Sequence, residues 1–205
     1  MSRIAVIDYG MGNLRSVERA LLQVAPQGTE VVITQEADMI ARADKVVFPG
    51  QGAIGQCMQG VTQYQLKTPL LEAINTKPFL GICIGLQMLL EWSEEGPSSG
   101  LGLVPGHVLK FQGLGLKVPH MGWNQVHPIR EHPLWHNIPA GSDFYFVHSY
   151  YVKPTHDEGV LAETHYGNKF VSAMGQNNWC AVQFHPEKSA AVGLQFLSNF
   201  INWNP

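Results

Sequence analysis

The chain has 205 residues, 45% apolar and 14% charged, with 13 Lys+Arg against 16 Asp+Glu and a formal charge of −3. The length suits one large domain, the apolar share excludes a disordered chain, and without a basic excess nucleic acid is not an expected partner. The charged share falls well below the roughly 25% usual for soluble domains, so part of the surface is expected to be covered.

In chain order, Met1-Ser2-Arg3 leads into a strand, Ile4–Asp8, with no basic leader, cleavage site or long apolar stretch, so neither a signal peptide nor a membrane span is expected. The spacing then predicts a helix over Asn13–Val24, with Asn13 as a possible N-cap, a strand over Glu30–Thr34 and a helix over Glu36–Ala43. Lys45–Phe48 reads as a strand followed by a loop, then the helix Pro69–Thr76, the strand Phe79–Ile82 and a helix Ile84–Trp92. Beyond residue 101 the rhythm changes to strands: His107–Gln112, Asn124–His127, Asp143–Val152, Val160–Thr164, Phe170–Met174 and Trp179–Phe184, closed by a helix over Ala190–Trp203. The expectation is one α/β domain over residues 1–205, a flavodoxin-like, mostly parallel sheet flanked by helices, with additional antiparallel strands in the second half.

Cys57, Cys83 and Cys180 are an odd number without a C-x-x-C pair, which suits a reduced, cytoplasmic chain. The Cys and His residues are scattered, so no metal site is expected, and nothing calls for a cofactor. Gly50-Gln51-Gly52-Ala53-Ile54-Gly55 matches G-x-G-x-x-G, but no acid ends a second strand about 20 residues on, so the dinucleotide reading is weak.

The sharper signal is Gly81-Ile82-Cys83-Ile84-Gly85, where a strand pattern meets a helix pattern at a cysteine. This is the G-x-nucleophile-x-G elbow: the turn lifts the nucleophile above the sheet, the glycines admit neighbouring backbone, and the next N–H can bind an oxyanion. The bland alternative is a buried core cysteine. His185-Pro186-Glu187 supplies a base and its orienting carboxylate, since a spacing of two puts both side chains on one side of an extended chain. His148 is the other histidine in a plausible position. A freestanding cysteine hydrolase and a non-catalytic binding module stay open on the residues alone.

Elbow and H-P-E together resemble the class I (triad) glutamine amidotransferases. Further blocks carry the likeness across nearly the whole chain: Asp8-Tyr9-Gly10-Met11-Gly12-Asn13-Leu14, Pro49-Gly50-Gln51-Gly52, His120-Met121-Gly122-Trp123-Asn124, Val147-His148-Ser149-Tyr150-Tyr151 and Gln183-Phe184-His185-Pro186-Glu187-Lys188-Ser189. Within the family they are most similar to glutaminase subunits whose partner, a (β/α)8-barrel cyclase, makes imidazole glycerol phosphate in histidine biosynthesis; the glutaminase of pyridoxal phosphate synthase is the runner-up. The resemblance implies a glutamine hydrolase within a heterodimeric lyase. It implies Cys83, His185 and Glu187 as the triad, Gly52 and Ile84 at the oxyanion hole, and Gln87, His148, Ser149 and Tyr150 around the glutamine. It implies Asn13, Trp123, Asn124 and Lys188 facing the partner. Gln51 departs from the pattern, where an apolar residue often stands.

Overall fold

The computed structural model describes residues 2–96, 98–112 and 115–205. The first half runs β1 (Arg3–Ile7), α1 (Leu14–Val24), β2 (Glu30–Thr34), α2 (Ala37–Arg42), β3 (Lys45–Gly50), α3 (Ile54–Gln63), α4 (Lys67–Thr76), β4 (Phe79–Cys83) and α5 (Ile84–Gln87). The second runs β5 (Leu90–Ser93), β6 (Ser98–Ser99), β7 (Val104–Lys110), β8 (His120–Pro128), β9 (Ser142–His148) and β10 (Tyr150–Pro154). It continues with β11 (Val160–Tyr166), β12 (Asn168–Gln176), β13 (Trp179–Val182) and α6 (Ala190–Asn202).

Strands β2-β1-β3-β4-β13 lie side by side and parallel. Antiparallel pairing then carries the sheet through β12, β10 and β7, while β11, β8 and β9 continue it off that path. The central strands are buried on both faces, so their side chains split between two cores. Ile4 and Val6 join one core under α1 and α6, with Val17, Leu21, Phe144, Phe184, Phe196 and Phe200. Ala5 and Ile7 join the other, with Ile54, Val61, Leu70 and Ile74 of α3 and α4. Each fully buried Phe or Leu contributes about 1.5–3 kcal/mol through removal from water.

Three expectations change. The segment read as one helix over Ile84–Trp92 is the four-residue α5 followed by strand β5. Backbone N–H groups of Leu101 and Leu103 take the carbonyls of Met88 and Leu89, and β5 pairs with β7, so tertiary pairing outweighs helical spacing. The strand read over Asp143–Val152 is broken at Ser149, because β9 pairs with β8 whereas β10 pairs with β7 and β12. The segment read as a loop after β3 contains α3, which buries Ile54, Cys57 and Val61 at helical spacing. Gly55 and Gly60 concealed that pattern.

Gly60 is there because α3 crosses β1's exit closely. Alanine in place of a helix-interior glycine ordinarily gains about 1 kcal/mol, but a Cβ at Gly60 would sit 2.2 Å from the Tyr9 carbonyl oxygen. Gly60→Ala is therefore expected to lower stability by about 1–3 kcal/mol, read as a lower urea midpoint. An unchanged or higher midpoint would contradict this close packing.

Candidate active site

β4 ends at Cys83 and α5 starts at the next residue, so one residue must reverse the chain. Cys83 does so at φ 56° and ψ −99°, a region costly for a side chain with a Cβ. The flanking glycines are required sterically: a Cβ on Gly81 would lie 2.6 Å from the Gly85 carbonyl oxygen, and one on Gly85 would lie 2.3 Å from that of Phe48. The β3–β4 register sets Gly50 opposite Cys83, bringing Gly50-Gln51-Gly52 beside the sulfur. Gly50 itself is packed against Tyr9 and Ile84, and Gly52 has a φ of 100°. The expected elbow is formed as read.

The base arrives from the opposite end of the sequence. His185 follows β13; its N–H donates to the Tyr145 carbonyl at 2.9 Å, and Ser189 Oγ donates to its carbonyl at 2.6 Å. Ser189 Oγ also accepts from Tyr145 N–H at 2.9 Å, so one hydroxyl ties the H-P-E turn to β9. His185 Nδ1 lies 2.8 Å from Glu187 Oε1, and both side chains are buried. His185 Nε2 and Glu187 Oε2 are buried without a hydrogen-bond partner among the described residues. Burial pulls the His185 pKa down, but the neighbouring Cys83 sulfur, then Glu187, raise it above its ordinary value. That is the arrangement of an imidazole held through Nδ1 by Glu187, with Nε2 left free to exchange a proton beside the nucleophile.

A cavity of about 440 Å³ opens over Cys83. Gly52, Ile84, Gln87, His148, Ser149, Tyr150 and Lys188 line it, all singled out in the sequence. Its lining also includes a carboxylate that sequence reasoning missed, Glu95, whose Oε2 accepts from Ile54 N–H at 3.0 Å. Glu95 lies in the turn between β5 and β6, beyond the helix read over Ile84–Trp92, and no motif singled it out. Gln183 stood in a family block but was given no role: it is wholly buried, and its Nε2 is 3.6 Å from Cys83 Sγ. It sits two residues before His185, and period-two spacing on that extended segment was the available signal.

The structure narrows two readings. Both ring nitrogens of His148 are engaged, one by His120 and one by the Tyr150 carbonyl, so the ring has no nitrogen left for a ligand. Trp123 and Asn124 are adjacent on β8 and point to opposite sides. Trp123 is 55% exposed beside Met121 at 59%, whereas the Asn124 amide turns inward to His120 and the His165 carbonyl. Asn13 is exposed at the N-cap position of α1, but its side chain makes no capping bond. Among the described residues no cluster of three or more His, Cys, Asp or Glu could hold a metal ion, and no helix is long and apolar enough to cross a membrane.

Burial lowers the pKa of His120 to about 4 and of His148 to about 3, and lowers that of His132 as well. Unfolded histidines bind protons near pH 6.5, so between about 6.5 and 4 the unfolded chain holds more protons and stability falls with pH. His185 has a raised pKa and opposes this slope while the unfolded ring is still losing its proton near pH 6.5, but by about pH 5 it is protonated in both states and leaves the slope unchanged. The expectation is a loss of about 1–3 kcal/mol per pH unit near pH 5, read as a falling urea midpoint; a flat midpoint from pH 6.5 to 4.5 would contradict neutral buried rings.

Comparison with known proteins bears on this geometry. A family model for glutamine amidotransferase class-I matches residues 5–203. The HisH subunit of imidazole glycerol phosphate synthase from Aromatoleum aromaticum is 52% identical, covering 100% of both chains. That from Thiobacillus denitrificans is 51% identical, covering 98% of this chain and 92% of the other. Among solved structures, PurLQS from Thermotoga maritima matches with a TM-score of 0.73 at 17% identity over 98% of each chain, a likeness of fold. A glutamine amidotransferase matches with a TM-score of 0.72 at 15% identity, covering 97% of this chain and 99% of the other.

Proposed function

The chain belongs to the class-I glutamine amidotransferase family, within its imidazole glycerol phosphate synthase HisH branch, and from that premise we propose that the Cys83 cavity is the glutaminase site. The protein hydrolyses glutamine for histidine biosynthesis as one subunit of a synthase. The observation that carries the assignment of the site is the juxtaposition of a strained cysteine at the floor of a cavity with a buried His185–Glu187 pair. We read residues 1–205 as one amidotransferase domain, working in the cytoplasm.

The chemistry follows from that arrangement. The Cys83 thiolate attacks the side-chain carbonyl carbon of glutamine, and the oxygen takes up the negative charge. The Ile84 N–H, next after the nucleophile, and an N–H of the Gly50–Gly52 segment stabilise it. His185 gives its Nε2 proton to the nitrogen as the C–N bond breaks, and ammonia leaves behind a γ-glutamyl thioester. His185 then takes a proton from water, which attacks the thioester; glutamate departs and the thiolate is restored. Glu187 holds the Nδ1 proton throughout. Glu95 offers the cavity a carboxylate for the α-ammonium of glutamine, and Lys188 an ammonium at its rim. Gln87, Ser149 and the Tyr150 backbone complete the pocket.

Ammonia released into water is protonated and loses its nucleophilicity, so it has to pass directly to the partner. We assign that partner as a (β/α)8-barrel cyclase in a heterodimer. Exposed Trp123 and Met121 on β8, with Asn13 and Lys188, are the residues placed to meet it, while Asn124 supports them from the inner side of the strand. Aromatic anchors of this kind dominate interface energetics.

Two substitutions test the site, with glutamate release measured in the presence of the cyclase and its ligand. Cys83→Ala is expected to abolish turnover. Glu187→Gln is expected to lower kcat about 10²–10⁴-fold with a much smaller change in KM, because it leaves His185 wrongly held. Full activity in Cys83→Ala would overturn the assignment.

A further inference from the structure

Behind the cavity a continuous line of hydrogen bonds joins strand β8 to the nucleophile. Asn124 Nδ2 lies 3.1 Å from His120 Nε2, and His120 Nδ1 lies 2.9 Å from His148 Nε2. His148 Nδ1 lies 2.7 Å from the Tyr150 carbonyl, which also accepts from Gln87 Nε2 at 3.0 Å. The second Gln87 Nε2 proton goes to Gln183 Oε1 at 3.2 Å, and Gln183 Nε2 reaches Cys83 Sγ at 3.6 Å.

The donor and acceptor inventory leaves one assignment of the protons. A carbonyl only accepts, so His148 carries its proton on Nδ1 and presents a bare Nε2. His120 must then donate from Nδ1, which leaves its Nε2 bare for the Asn124 amide. Gln87 spends both amide protons inside the protein, so Gln183 accepts from it and turns its own amide nitrogen to the sulfur. Packing fixes the rings as well: His120 is stacked between Phe146 at 4.9 Å and Tyr166 at 4.0 Å. The β8–β9 register sets His120 directly opposite His148. Burial keeps both rings neutral at physiological pH.

We infer that His120 and Gln183 are positioning residues for glutamine hydrolysis: His120 locks His148 in the Nδ1–H tautomer that anchors the Tyr150 carbonyl, and Gln183 aims both Gln87 and the Cys83 sulfur. This rests on the glutaminase reading of the site. Loss of His120 frees His148 to place its proton on Nε2, and the Tyr150 carbonyl then loses a donor at the wall of the pocket. Loss of the Gln183 donor leaves the pocket in place but releases the sulfur.

The roles therefore separate kinetically. In the chain with its partner, His120→Leu is expected to raise KM for glutamine about tenfold with kcat within about twofold. His120→Asn, whose amide nitrogen reproduces the Nδ1 donor, is expected to bring KM back to within about threefold of wild type. Gln183→Glu keeps an acceptor for Gln87 but removes the donor toward sulfur, and is expected to lower kcat about thirtyfold or more with little change in KM. Nitrogen-15 NMR of histidine-labelled wild-type protein reads the tautomers without any substitution, and both rings are expected to be protonated on Nδ1 and bare on Nε2. An Nε2–H form of either ring would overturn the inference. So would an unchanged KM in His120→Leu, equal defects in His120→Leu and His120→Asn, or an unchanged kcat in Gln183→Glu. Turnover surviving in Cys83→Ala would instead defeat the glutaminase assignment, with the tautomers still readable.

Discussion

The backbone of Cys83, at φ 56° and ψ −99°, is the constraint around which the site is arranged. A non-glycine residue held in so sparsely populated a region costs about 1–3 kcal/mol, and persists only where its surroundings leave no alternative. Here they leave none. β4 is paired on both sides, by β3 and β13, up to the turn, and α5 packs its Gly85 against the Phe48 carbonyl immediately after it. The same geometry lifts the sulfur to the carboxyl end of the sheet and sets the Gly50–Gly52 segment alongside. In an open parallel sheet this end, outside the strands, is where ligands bind.

The first half of the chain thus supplies the nucleophile and the Gly50–Gly52 segment, and the second half supplies the base and the opposite wall. His185 follows β13, His148 ends β9, and Gln183 reaches the sulfur across 100 residues of sequence. Ser189 ties the H-P-E turn to β9 by bonding both His185 and Tyr145. A cluster assembled from such distant segments relies on the sheet for its accuracy. Its hydrogen bonds are directional and few, while the aromatic core of Phe144, Phe184 and Phe196 beneath it is large and insensitive to small shifts.

Much of this was legible from residue pattern. The strand–helix alternation gave β1 to β4 within a few residues, because buried parallel strands read as unbroken apolar runs bounded by turns. The elbow and H-P-E turn were legible because their glycines and proline are imposed by local backbone geometry. What stayed hidden depended on distant partners. β5 carries helical spacing and becomes a strand only because β7 lies beside it, and Glu95, in the turn after it, reaches the cavity only through that fold. The break at Ser149 reflects a change of pairing partner, which no local pattern records. Asn124 was placed with Trp123 by motif, although alternation along β8 sends their side chains apart.

The scarcity of charge, 14% of residues, fits a protein that works against another surface, and β8 shows where the apolar exposure gathers, at Met121 and Trp123. That face lies on the same strand as His120, which is bonded to His148 at the cavity. The account depends most directly on Cys83 being the atom that bonds to glutamine. A glutamine analogue carrying a diazoketone in place of the amide, followed by peptide mass spectrometry, measures this in the assembled enzyme. One equivalent of label on Cys83, appearing in step with loss of glutaminase activity, is the predicted result; inactivation with the label on Cys57 or Cys180, or full activity after Cys83 is labelled, would contradict it.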